Sequence, residues 1–312
     1  MCKLKSAIIL KDRIFMPDYD SHSKMLEELK ITDDYFNASK VFVRAELAPE
    51  NGDAFSDIDG WKFSVDQDIT PEWFDEKDCA ERMRNTVKEW AKTHIFIGQN
   101  DLKISHGEYI FIKDCKNVDI RGNATVKHIC GNATVESICD NATVEYICGK
   151  ATVKYIYGNA TVKHICGNAT VKYICGKATV KYIYGNATVK NIYGNATVEN
   201  ICDNATVKSI CDNATVNNIY GNATVKNIYD DATVKNIYGN ATVKNIYDDA
   251  MVENIYGNAT VISSRYTKWN NSAALIIADN ATFKDCYSKT IYQAGGWKFV
   301  EVKYENSKLS MK

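Results

Sequence analysis

From Gly122 onward the apolar and polar positions fall into a frame of nine that recurs sixteen times, the phrase "GNATVKNIY" and its variants. Place three is always Ala, place five always Val, and place eight is Ile in the first fifteen units. On a strand, alternate residues share a face, so Ala and Val point inward while Thr at four and the residue at six point out. Ile at eight has the wrong parity for that inner face, which predicts a bend near places six and seven. Places one and two are drawn from Gly, Asp, Asn and Lys, the residues of a tight corner.

Nine residues at about 3.3 Å each enclose a perimeter of only about 30 Å, too small for side chains between sheets that pack about 10 Å apart. Two units per coil, 18 residues, resolve this. The variable sixth place agrees: every second unit carries Glu136, Lys154, Lys172, Lys190, Lys208, Lys226 and Lys244, whereas the intervening units carry a mixed series from Lys127 to Glu253. The intervening units also hold Asp140, Asp212, Asp230, Asp231, Asp248 and Asp249. The fold class expected is therefore mainly β, a parallel β-solenoid of about eight coils and about 38 Å, with right-handed winding as the default for parallel crossovers. A flattened two-sheet roll is the first expectation and a four-sided coil the second.

The flanks follow other patterns. Residues 1–103 read as a small α+β domain with strands at "SAIIL", "KVFVRAEL" and "GWKFSV". A short helix is expected after Ser21 or Ser23, and a longer one opening at "ITPEWF", in which Ala80, Met83, Val87, Trp90 and Ala91 recur at helical spacing and face a core. Residues 104–261 form the solenoid, with degenerate opening repeats up to residue 121. Residues 262–312 read as a capping segment in which "ADNATFKDCY" is one more repeat out of phase and "GWKFVEVKY" a terminal strand.

Composition changes this picture in few places. The 312 residues are 45% hydrophobic and carry net charge −1, so the chain is neither disordered nor strongly basic. No apolar run approaches the roughly 20 residues of a spanning helix, and the apolar start is too short for a signal peptide. A cytoplasmic protein is the expectation. Of eleven cysteines, seven occupy the ninth place, where eight other units carry Tyr, which argues for reduced thiols rather than a disulfide framework.

The "GNATVKNIY" phrase resembles the NATV-type nonapeptide repeats of largely uncharacterised bacterial and phage proteins, and the part before it resembles a domain that precedes such repeats. That resemblance implies a solenoid and a mobile-element origin, and supplies no catalytic residues. Calcium-binding rolls share the period, but "GNATVK" offers too few carboxylates to cage the ion.

No catalytic, cofactor or metal residues are expected, because the repeat admits no insertion where loops could gather a reactive set. His128 and His164 should lie two coils apart, about 10 Å, too far to share a zinc ion. The acids Asp57, Asp59, Asp66, Asp68 and Glu72 read as solvated turn residues. A non-enzymatic binding or scaffold protein is expected, its partner an unidentified protein or polyanion, with self-association through an end cap or the N-terminal domain also open. The alternative is a structural, self-assembling component of a virion or filament. The sharpest outward feature is the stripe Lys154, Lys172, Lys190, Lys208, Lys226 and Lys244, the candidate binding surface.

Overall fold

The computed structural model describes residues 5–267 together with 276–277, 282–283 and 292–293. Two compact units divide the chain: one comprises the residues up to Ile97 with Glu108–Phe111, the other Gly98–Gly107 and the residues from Ile112 on.

The first unit is built on a four-stranded antiparallel sheet. Its strands are β1 (Lys5–Leu10), β2 (Ile14–Phe15), β3 (Phe42–Ala48) and β4 (Lys62–Val65), in the order β2-β1-β3-β4. Alternation along β1 and β3 feeds two clusters. Ala7, Ile9, Val43, Ala45 and Leu47 pack with Met83, Val87 and Trp90, while Ile8, Leu10 and Phe42 pack with Met25 and Leu26. Helix α1 (His22–Glu28) starts at Ser21, whose side chain accepts a hydrogen bond from the Lys24 N–H. Helix α2 (Tyr35–Lys40) has no counterpart in the sequence reading.

Helix α3 (Glu76–His94) begins later than "ITPEWF" suggested. A turn from Pro71 to Phe74 precedes it, and Asp75 caps it by accepting from the Asp78 N–H at 2.9 Å. The apolar stripe does face the core: Ala80, Met83, Val87 and Trp90 are buried, and Ala91 packs against them partly exposed.

The second unit is a parallel β-solenoid with two nine-residue repeats per coil. Five-residue strands such as Thr134–Ile138 and Thr152–Ile156 stack in one sheet of 11 strands, and those such as Thr143–Ile147 and Thr161–Ile165 in another of 12. Pairing is in register at a step of 18 residues, Thr134 to Thr152 and Val135 to Val153, so each place of the repeat stacks on itself. Irregular strands at Lys103–Ile104 and Val118–Ile120 pair in parallel ahead of the strict frame. The sheet carrying Lys154 to Lys244 is called the lysine sheet below, and the other the mixed sheet.

The bend expected near places six and seven takes a subtler form. The strand runs unbroken from Thr at four to Ile at eight, yet Val at five and Ile at eight are both buried, so parity changes inside it. The paired positions skip place six, where the strand accommodates that change. Ala, Val and Ile ladders fill the interior; Ala187, Val189 and Ile192 are all 0% exposed.

Corners are four-residue turns closed by a bond from the N–H of place three to the carbonyl of place nine, such as Ala178 to Cys175 at 3.2 Å. Place one has positive φ throughout, Gly in most units and Asp140, Asp203, Asp212, Asp230 and Asp248 in five. Asp tolerates this conformation better than most side chains. Here its carboxylate also accepts from the place-one N–H of the adjacent coil, as Asp203 does from Gly185 (3.2 Å) and Asp140 from Gly122 (3.0 Å). Gly185 has φ +65°, and a Cβ there would lie 3.1 Å from the Gly167 nitrogen. Gly185→Ala is therefore expected to cost about 1–2 kcal/mol. Gly185→Asp should cost less, because its carboxylate regains the Asp203-type bond. Thermal unfolding of the two variants checks the order.

Past the strict frame, Thr260 pairs in parallel with Thr282 and Val261 with Phe283, a step of 22 residues where the strict coils step 18. Ile276 and Ile277 pair with Asn254 and Ile255 on the mixed sheet, and with Tyr292 and Gln293 in turn. The expected "GWKFVEVKY" strand lies outside the described residues.

Candidate functional site: the lysine sheet

In-register stacking aligns place six of every coil in one row. On the lysine sheet that row reads Glu136, Lys154, Lys172, Lys190, Lys208, Lys226, Lys244, one residue per strand spacing of about 4.8 Å. Lys154 is the exception within it. Its ammonium lies 3.0 Å from Glu136, and that hydrogen bond raises its pKa. Among the described residues no carboxylate comes within ion-pair distance of Lys172, Lys190, Lys208, Lys226 or Lys244. Lys190, Lys208, Lys226 and Lys244 are exposed and Lys172 is half-buried.

The mixed sheet carries the same residue type in a different arrangement. There Glu145 lies between Lys127 (2.9 Å) and Lys163 (3.0 Å). Burial alone would raise the Glu145 carboxyl, but the hydrogen bonds and charges of the two lysines hold it below its ordinary value. Farther along, Lys181 is followed by Glu199 and Lys235 by Glu253, so each lysine of this row has an acid one coil away. The mixed row intersperses acids among its cations and pairs two of them directly; the lysine row leaves five successive like charges side by side. Like charges at that spacing repel, and an external anion relieves the repulsion.

The remaining acids of the repeat lie on the corners, not on the mixed face as their assignment to the intervening units suggested. Asp212, Asp230 and Asp248 follow lysine-sheet strands at one corner, and Asp203 stands on the opposite one. Cys211, Asp212 and Asp230 bring three ligand-type atoms within 4.8 Å of one another, the one such group among the described residues. Their carboxylates already accept backbone N–H bonds from Gly194 and Asp212, which accounts for the cluster structurally.

Place seven beside the lysine row holds Tyr155 and Tyr173, stacked at 5.1 Å, then Asn191, Ser209, Asn227 and Asn245. The Asn245 amide donates to the Asn227 side-chain oxygen at 2.9 Å. On the mixed sheet the same place stacks His128, Tyr146, His164 and Tyr182 at 5.0, 4.6 and 5.4 Å, so a tyrosine ring separates the two histidines.

In the first unit the acids singled out in the sequence do not converge. Asp57 accepts from the Asp59 N–H, Asp59 pairs with Lys88 at 2.6 Å, and Asp66 meets His22 at 3.2 Å. Lys5, which the sequence did not flag, is fully buried. Its ammonium donates to the Pro17 carbonyl at 2.7 Å and sits 4.7 Å over the Trp90 ring. Burial lowers its pKa, against the opposing charges of Asp18 and Asp20. It is a packed core residue whose charge is held by a carbonyl, a ring and two acids.

No helix is long and apolar enough to cross a membrane among the described residues. Comparison with models of known protein families, with curated proteins and with solved structures found no match.

Proposed function

We propose that the protein is a non-enzymatic binding scaffold whose lysine sheet holds a linear polyanion along the solenoid axis. One observation carries the reading. Among the described residues Lys172, Lys190, Lys208, Lys226 and Lys244 form an uninterrupted run with no acid in the row beside them, whereas on the mixed sheet Glu145 pairs with Lys127 and Lys163, and Lys181 and Lys235 each stand one coil from a glutamate. If the lysines served only to keep a repetitive sheet soluble, both faces would meet that need equally well with the paired arrangement. In a cytoplasmic setting nucleic acids are the abundant linear polyanions. The repeat runs without insertion from residue 122 to 261, which supports a recognition surface rather than a reactive cleft.

Several cations must act together, since one exposed ion pair contributes only about 0–1 kcal/mol. Titration of labelled duplex DNA, with heparin in parallel, tests the reading. If all five lysines neutralise phosphates, the slope of log affinity on log salt is about −4.5, or about 500-fold weaker binding between about 50 and about 200 mM salt. Binding of neither probe at low salt refutes the proposal. Binding of heparin alone assigns the row to polysaccharide sulfates rather than to nucleic acid.

A further inference from the structure

Folding two repeats per coil sorts the ninth place into two columns, and the columns treat cysteine differently. On the lysine sheet the order is Cys139, Tyr157, Cys175, Tyr193, Cys211, Tyr229. Each of these tyrosines hydrogen-bonds the cysteine one coil before it. On the mixed sheet the order is Cys130, Cys148, Cys166, Tyr184, Cys202, Tyr220. Tyr184 donates to Cys166 and Tyr220 to Cys202. Of the seven repeat cysteines, only Cys130, Cys148 and Cys166 stack thiol on thiol; the other four have no thiol on an adjacent coil.

We propose that Cys130 and Cys148 form a modification site, a peroxide-oxidisable dithiol that closes to a disulfide bridging two successive coils. The register holds them side by side. Ile129 pairs with Ile147, and the Cys148 N–H donates to the Ile129 carbonyl at 2.9 Å. The strand spacing of about 4.8 Å falls inside the Cα separation of about 4.4–6.8 Å that disulfides span. Both thiols are free and partly exposed, so a small oxidant reaches them. The Cys130 S–H and the His128 ring hydrogen-bond the Cys148 sulfur, and these bonds lower its thiol to about 5. Cys130 is correspondingly pushed up, first by its bond to Cys148 and then by burial. The pair thus releases its first proton readily and its second with difficulty, which makes Cys148 the nucleophile and Cys130 the resolving thiol. Cys166 is engaged by the Tyr184 phenol and is the less available neighbour.

The step balances with hydrogen peroxide as oxidant. The Cys148 thiolate attacks one peroxide oxygen, the O–O bond breaks, and the departing hydroxide takes a proton to become water, leaving a sulfenic acid. The Cys130 sulfur then attacks the Cys148 sulfur, the S–O bond breaks, and the hydroxyl leaves as water with the Cys130 proton. Two thiols are oxidised by two electrons in total and one peroxide is reduced to two waters. The site is on the mixed sheet and does not depend on the lysine row.

The test treats the full chain with one equivalent of hydrogen peroxide and digests it with trypsin and a glutamate-specific protease. Cutting after Lys127, Glu136, Glu145 and Lys150 places Cys130, Cys139 and Cys148 on separate peptides. The expected product is His128–Glu136 linked to Tyr146–Lys150, released by dithiothreitol. Cys130→Ser should leave a sulfenic acid on Cys148 that dimedone traps, Cys148→Ser should lose both the link and rapid peroxide consumption, and Cys139→Ser should behave as wild type. A link from Cys148 to Cys166, a link from Cys130 to Cys139, or equal oxidation rates at all partly exposed thiols would overturn the assignment.

Discussion

Val189→Asp is expected to destabilise the solenoid by several kcal/mol, the scale of an isolated buried charge after partial relaxation. Val189 is 0% exposed and stacks in register between Val171 and Val207. Its replacement would place a carboxylate among Ala, Val and Ile side chains that offer no donor. Because each coil contacts only its neighbours, the damage should be local at first, opening a protease-sensitive coil mid-stack and splitting one unfolding transition into two. Asn191→Asp, two residues along the same strand at a partly exposed position, should shift stability by about 0.5 kcal/mol or less. Thermal unfolding with limited proteolysis compares the two, and equal behaviour would contradict the inward assignment of place five.

That assignment was readable because the repeat is its own alignment. Ala at three and Val at five never change over sixteen units, and a position that tolerates no drift while its neighbours drift is packed against copies of itself. The 18-residue coil was readable from the sixth place, whose contents separate only when alternate units are taken together. Less visible was the change of parity inside an unbroken strand, which depends on place six dropping out of the pairing. Helix α2 escaped notice because six residues with no buried side chain carry no periodicity. The late start of α3 turns on Asp75 winning the cap over the earlier residues around Pro71.

The candidate site divides in the same way. The alignment of the six lysines follows from strict 18-residue spacing and needed no structure. That Glu136 neutralises Lys154, leaving five lysines open, follows from a side-chain contact one coil away. Cys and Tyr look interchangeable along the chain. Only the two columns created by folding separate a thiol beside a phenol from a thiol beside a thiol.

Between Lys172→Gln/Lys190→Gln/Lys208→Gln and Lys163→Gln/Lys181→Gln/Lys235→Gln the number of charges removed is the same, and only the sheet differs. The first triple removes three of the five unpaired lysines. At up to about 1 kcal/mol per exposed pair it should weaken polyanion binding by roughly 10- to 100-fold at low salt. The second removes lysines whose row already carries acids and should change binding little. The salt slope of duplex DNA binding, measured on wild type and both triples, separates a specific row from general positive charge. A slope falling from about −4.5 to about −1.8 in the first triple alone is the predicted result. Equal slopes, or equal losses of affinity in the two triples, would contradict the account.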